Sequence, residues 1–186
     1  MTELQEVKIA GGVAKKHKFE DAEVGKRAGV TMGFVHIGTV KGHDVYHRPR
    51  LGNTHDYVMT KEGDRKIHTH LQTFKRAGGH HVNFVQSKPG AGPGVHHLYH
   101  HLITKHNILL TSRHQSEGGA SIWQKMSKMR GVHVHAVDAK GVGHHVDLSD
   151  LRDTHVNPND VARAKSAKDA KELRSIMAKR LVAHKA

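Results

Sequence analysis

The stretch from His80 to Val137 constrains the fold more than any other part of this 186-residue chain, because strand, glycine loop, helix, strand, helix and strand signals follow one another there without a break. His81 to Gln86 alternates apolar and polar residues with the period of two expected of a half-buried strand. Pro89 ends it. Gly90, Gly92 and Gly94, with Pro93 between the last two, form a loop able to take positive φ and to bring bare backbone against another group. Val95, Leu98, Tyr99, Leu102 and Ile103 then fall at i, i+3, i+4, i+7 and i+8, one apolar helical stripe with histidines on the remaining faces, and Asn107 supplies a C-terminal stop. Ile108 to Leu110 is too short for a helix and right for a buried strand, and polar Ser112 to Gly119 separates it from the next element. Ala120, Ile122, Trp123, Met126 and Met129 indicate a second, looser helix, and Val132 to Val137 a last strand.

Upstream signals agree with a sheet. Phe34 to Val40 is strand-like, and Asp56 to Phe74 reads as a hairpin in which Tyr57-Val58-Met59 returns through residues 61–64 to Ile67, His68, Thr69, His70 and Leu71. The expected architecture is therefore α+β, a central mixed sheet flanked by helices over residues 29–150. Residues 1–28, rich in Lys and Gly with one short Val7-Lys8-Ile9 run, are expected to be a loosely ordered arm. The tail 157–186 opens on the Asn157-Pro158-Asn159 cap signal. It then places Leu173, Ile176, Met177 and Leu181 at helical spacing among basic residues, so a C-terminal amphipathic basic helix is expected there.

Thirty Lys and Arg against 17 Asp and Glu give a formal charge of +13, which favours an anionic partner: CoA phosphates, nucleic acid or an acidic protein surface. Aromatic residues make up 4% of the chain, too few to stack on bases along a strand of nucleic acid, so sequence-specific reading is not expected. The absence of cysteine excludes disulfides, thiolate metal sites and a cysteine nucleophile. No segment has the length of a signal peptide or a membrane span, and a cytoplasmic protein is expected, without a membrane partner. There are 21 histidines. His96 and His100, and likewise His97 and His101, stand four apart at metal-ligand spacing. A zinc site needs three or four ligands, and no HExxH motif or cysteine is present, so no metal is expected.

The element order over about residues 30–137 resembles the GNAT-type N-acetyltransferase fold. In that family a central strand runs into a glycine-rich loop that opens a helix, and loop and helix N-terminus hold the coenzyme A pyrophosphate through converging amide N–H groups and the helix dipole. The run Gln86-Ser87-Lys88-Pro89-Gly90-Ala91-Gly92-Pro93-Gly94 looks like a stretched version of the family's glutamine-or-arginine, x, x, glycine, x, glycine signature. What the resemblance implies is an acetyl-CoA site made by Gln86, Lys88, Gly90, Ala91, Gly92, Gly94 and Val95, with strand amides at Asn83, Phe84 and Val85 holding the pantetheine and carbonyl. His80 or His81 is then the base that deprotonates an acceptor amine. Trp123 stands where the family often has a tyrosine to protonate the departing thiolate, and an indole is no acid near neutral pH. Small proteins of this appearance occur in bacteriophages. Two functions follow: an acetyl-CoA-dependent N-acyltransferase acting on an amine, or a catalytically inactive GNAT-like basic protein that binds nucleic acid or serves as a virion-associated component.

Overall fold

The computed structural model describes residues 33–64, 66–112, 117–144, 148 and 164–186. The expected arm at 1–28 and the expected cap at Asn157 to Asn159 lie outside these residues.

Five strands form an antiparallel meander: β1 (Val35–Val40), β2 (His43–Pro49), β3 (Thr54–Lys61), β4 (Ile67–Arg76) and β5 (Gly79–Ser87). The first hairpin closes on Lys41 and Gly42, both at positive φ, which matches the twist that two-residue loops impose. The β4–β5 hairpin turns on Ala77 and Gly78. Pro89 and the glycines stop β5, and helix α1 (Val95–His106) follows. It ends where Asn107 takes the left-handed conformation and turns its backbone N–H to Leu102 O. Strand β6 (Leu110–Ser112) then lies parallel to β5, the geometry that a helical crossover requires. After it come α2 (Glu117–Ser127), β7 (Val132–Val137), the short β8 (Gly143–His144), α3 (Ala167–Ala178) and β9 (Arg180–Lys185).

The described residues thus make a mixed sheet of order β1-β2-β3-β4-β5-β6-β9-β7-β8, a mixed α+β arrangement. One face carries α1 and α2. Leu98, Tyr99, Leu102 and Ile103 of α1 meet Val45, Tyr57, Met59, Leu71, Leu110, Leu181 and Ala183 of the strands, with Trp123 and Met126 of α2 closing the layer. Each such side chain taken out of water contributes about 1.5–3 kcal/mol. The apolar stripe read from the sequence is therefore the one that builds the core.

Two expectations are corrected. The tail is not one basic helix: α3 ends at Ala178, and Leu181 belongs to a strand. The physical reason is tertiary. β9 is inserted antiparallel between β6 and β7, hydrogen-bonded along both edges, with Leu181 and Ala183 pointing into the core, and that pairing outweighs the local helical spacing. The cap is Ser166, whose hydroxyl accepts from the Asp169 N–H at 3.1 Å. The segment Ile108 to Leu110 is shifted as well. The strand begins at Leu110 and runs through Ser112, and Leu109 O instead receives the His80 N–H at 2.8 Å. Strand β2, unassigned from the sequence, fills the gap between the two expected strand regions.

Candidate functional site

Strand β5 has different neighbours along its length. At its start, His80 and His81 pair with Leu110 and Thr111 of β6, but from Val82 to Ser87 the strand pairs with β4 alone among the described residues. Among the described residues, the stretch of β5 from Val82 to Ser87 thus has a ladder partner on one side only, leaving a wedge toward the glycine loop. Within it the β4–β5 register slips, so that Gln72 faces Phe84 while Thr73 faces Val82, and Asn83 becomes a bulge. A bulge leaves its residue out of the ladder and re-aims its amide.

The loop at the mouth of the wedge is held by its backbone. Lys88 N–H donates to His68 O at 2.8 Å and Ala91 N–H to Lys88 O at 3.3 Å. Gly90 takes a φ of 69° over open space, a conformation that favours glycine. Gly92 is required for a different reason: a Cβ there would lie 2.8 Å from both His43 Nε2 and His68 Cε1. The loop is thus pressed onto two histidine rings, which meet edge to face with centroids 4.8 Å apart. Burial, helped by His43 and Lys88, pushes the His68 imidazole down to about 4. Its Nδ1 is bonded to Thr69 Oγ1 at 3.1 Å, and its buried Nε2 has no hydrogen-bond partner. On the first turn of α1, burial together with His97, Lys125 and Lys41 pushes His96 down to about 4, and burial and Lys41 also lower His97. The mouth is a basic place whose His68 and His96 are uncharged at neutral pH.

The residues expected to hold a cofactor separate into groups. Lys88, Gly90, Ala91 and Gly92 lie in the loop that leads into α1, Gly94 is its N-cap and Val95 its first residue. Gln86 and Asn83 lie along the parted strand, and the Asn83 amide donates to Gln72 Oε1 at 3.5 Å. Phe84 packs its ring edge-on to His70, while Val85 points into the core and offers backbone only.

The two candidate bases point to opposite faces, as neighbours on a strand must. His80 is under the helices, 9% exposed, with Nδ1 against Thr73 Oγ1 at 3.0 Å and Tyr57 Oη at 3.5 Å. His55 lies over it at 4.7 Å and His47 is bonded to His55 at 2.9 Å, forming a stack with Tyr57. Burial, with His55, Lys75 and His47, pushes His80 down to about 4. His81 is half-buried on the other face, its Nδ1 3.2 Å from Thr111 Oγ1. Trp123 is 2% exposed and meets the edge of Tyr99, so it is core. Burial raises the phenols of Tyr57 and Tyr99, leaving both protonated.

Sequence reasoning missed one buried cluster. Asp56, with no exposed surface, accepts from Arg48 at 2.8 Å, His70 at 3.1 Å and Gln72 at 3.2 Å, with Arg50 at 3.7 Å. Burial alone would raise its carboxyl, but the bonds from His70 and Arg48 prevail and hold it well below the usual range. The alternation of strands β2, β3 and β4 places these four residues on one face, a signal available only once β2 is assigned. Among the described residues no group of three or more His, Cys, Asp or Glu is disposed to hold a metal ion, and no helix is long and apolar enough to cross a membrane. Compared with protein-family models, curated proteins and solved structures, the chain matches none.

Proposed function

We propose that the chain is a GNAT-like acyl-CoA-binding protein that transfers an acetyl group to an amine. The observation that carries the reading is that, among the described residues, β5 pairs with β6 only at His80 and His81, ahead of the glycine loop and the N-terminus of α1. A strand with an open edge offers alternating N–H and C=O groups, and pantetheine, an extended arm with two amides, is the kind of ligand that adds to such an edge. From Ser87 back to His81 the edge runs roughly 20 Å at about 3.3 Å per residue. The pyrophosphate falls at the α1 N-terminus, where backbone N–H groups and the helix dipole favour anions. The thioester falls near the Asn83 bulge. A meander whose last strand runs into the glycine loop and α1 supports the reading.

In this reading acetyl-CoA supplies the activated acyl group. His81, whose Nδ1 lies 3.2 Å from Thr111 Oγ1, takes the proton from the acceptor ammonium. The amine attacks the carbonyl, the C–S bond breaks and sulfur leaves as thiolate. A thiol with a pKa near 8.5 makes that departure without an acid cost only about 1.4 kcal/mol one unit below its pKa. His80, buried and uncharged, supports the strand. Lys88 and the lysines near the loop add positive charge for the phosphates.

A second reading, an inactive basic binding protein, draws on Trp123 and Tyr99, which are locked in the core and leave no phenol on the wedge among the described residues. Calorimetry with acetyl-CoA tests both. Ala91 is exposed, so Ala91→Asp sets a carboxylate beside the loop without disturbing packing, and it should weaken binding by about tenfold, ~1.4 kcal/mol. No binding by the parent chain at millimolar acetyl-CoA would sink the first reading; binding without transfer to any amine would leave the second.

A further inference from the structure

At the other end of β5, away from the glycine loop, a cavity of about 160 Å³ lies between the β4–β5 turn and the start of β9. Arg76, Gly78, Gly79, His81, Thr111 and Arg180 line it, and none of these is acidic. Arg180 comes from β9 and reaches over the turn: a Cβ built on Gly78 would stand 3.7 Å from its Nη1 and 3.8 Å from its Nη2. Its Nε is buried without a hydrogen-bond partner. The Arg76 guanidinium sits 5.3 Å over the Phe74 ring. Neither arginine is ion-paired with a carboxylate among the described residues.

Two guanidiniums are permanently charged and repel one another, and a buried donor left unpaired is costly, so their convergence on a polar cavity calls for an acceptor there. We propose that this cavity binds the phosphoryl dianion, as inorganic phosphate or as the head of a small phosphate monoester. The charge selects the ligand. Two fixed positive charges are matched by a dianion, whereas a carboxylate would leave one of them unpaired. Guanidinium forks present paired N–H donors to phosphate oxygens, and the Thr111 hydroxyl and His81 imidazole add further contacts from the cavity floor. At about 30 Å³ per water, the space holds a phosphoryl group and a few more atoms but not a nucleotide. The cavity shares His81 and Thr111 with the acyl-CoA reading, but its two arginines lie at the closed end of the β5–β6 pair, away from the glycine loop.

The test is a titration of the full chain at constant ionic strength, following the amide resonances of Gly78, His81, Thr111 and Arg180. Inorganic phosphate, glycerol phosphate and acetate are added in turn. Two variants accompany it. Arg180→Gln removes one fork. Gly78→Asp fits an exposed position with ordinary contacts and places a carboxylate beside Arg180 as an internal competitor, so it carries the test if Arg180→Gln fails to fold. The expected result is saturable shifts at these residues with phosphate, weakened at least about tenfold in both variants. Tighter binding of the ester assigns a metabolite head group, and tighter binding of inorganic phosphate assigns the free ion. No saturable shift, equal binding by Gly78→Asp (an adventitious ion only), or acetate binding as tightly as phosphate would each overturn the proposal. Ala91→Asp should leave these shifts intact while acetyl-CoA binding falls, which keeps the two readings separate.

Discussion

Replacing His80 with glutamine should flatten the acid limb of the stability curve. His80 is 9% exposed and faces His47 from β2, His55 and Tyr57 from β3, and Thr73 and Lys75 from β4. Burial and its cationic neighbours hold it at about 4, against 6.5 for the free imidazole. Because the folded value is the lower one, the unfolded chain binds the proton first. The stability that follows is complete above about pH 6.5 and drains away as the pH falls toward 4. With these two values, His80 alone removes about 2 kcal/mol between about pH 7 and about pH 5. A glutamine amide can still bond Thr73 Oγ1 but does not titrate. Urea unfolding followed by the fluorescence of buried Trp123, for parent and variant at both pH values, isolates the term, since any constant cost of the substitution cancels. If the variant loses as much stability on acidification as the parent, within about 0.5 kcal/mol, then His80 is not an uncharged buried base and the account of the stacked cluster is wrong.

Asp56→Ala should destabilise the fold by about 3–5 kcal/mol, because it removes the buried carboxylate that Arg48, His70 and Gln72 all bond; a loss below about 1 kcal/mol in chemical denaturation would show that the cluster is solvated. Gly79→Ala should cost about 1–3 kcal/mol from its φ of 110° alone, and more from the new Cβ, which would press on the Leu109 side chain and lie 2.7 Å from Leu109 O. A variant as stable as the parent would contradict the tight β5–β6 junction. Acetyl-CoA, if it binds at the loop, should take up protons, since its phosphates raise the depressed values of His68 and His96. Affinity then rises as the pH falls below neutrality, and calorimetry in buffers of different ionisation enthalpy reads the uptake directly. Binding with no proton uptake would place the phosphates away from those two rings.

Much of the fold was legible in the chain because its signals are local. The stripe Val95 to Ile103 and the stop at Asn107 predict α1 to the residue, and the alternation in Val132 to Val137 predicts β7 with the same ends. The hairpin from Asp56 to Phe74 matches the β3–β4 pairing. What escaped was signalled by neither period nor punctuation. β2 carries two charges, two histidines and Pro49 among its seven residues, and its placement depends on β3 pairing with it. β9 shares its helical spacing with α3 and becomes a strand because the slot between β6 and β7 satisfies both of its edges.

By itself the sequence determined the order of elements from β5 to β7, the apolar stripe that makes the core, the glycine loop ahead of a helix, and a surplus of positive charge. These follow from periodicity, turn chemistry and composition, which need no knowledge of what lies far along the chain. Only the tertiary structure decided which histidines are buried, that His80 and His81 point to opposite faces, that β5 and β6 pair at two positions among the described residues, and that Arg76 and Arg180, 104 positions apart (180 minus 76), line one cavity. Desolvation and charge proximity depend on distance in space, and the register and packing that bring remote residues together are what turn a histidine-rich, basic sequence into neutral buried rings and one concentrated positive site.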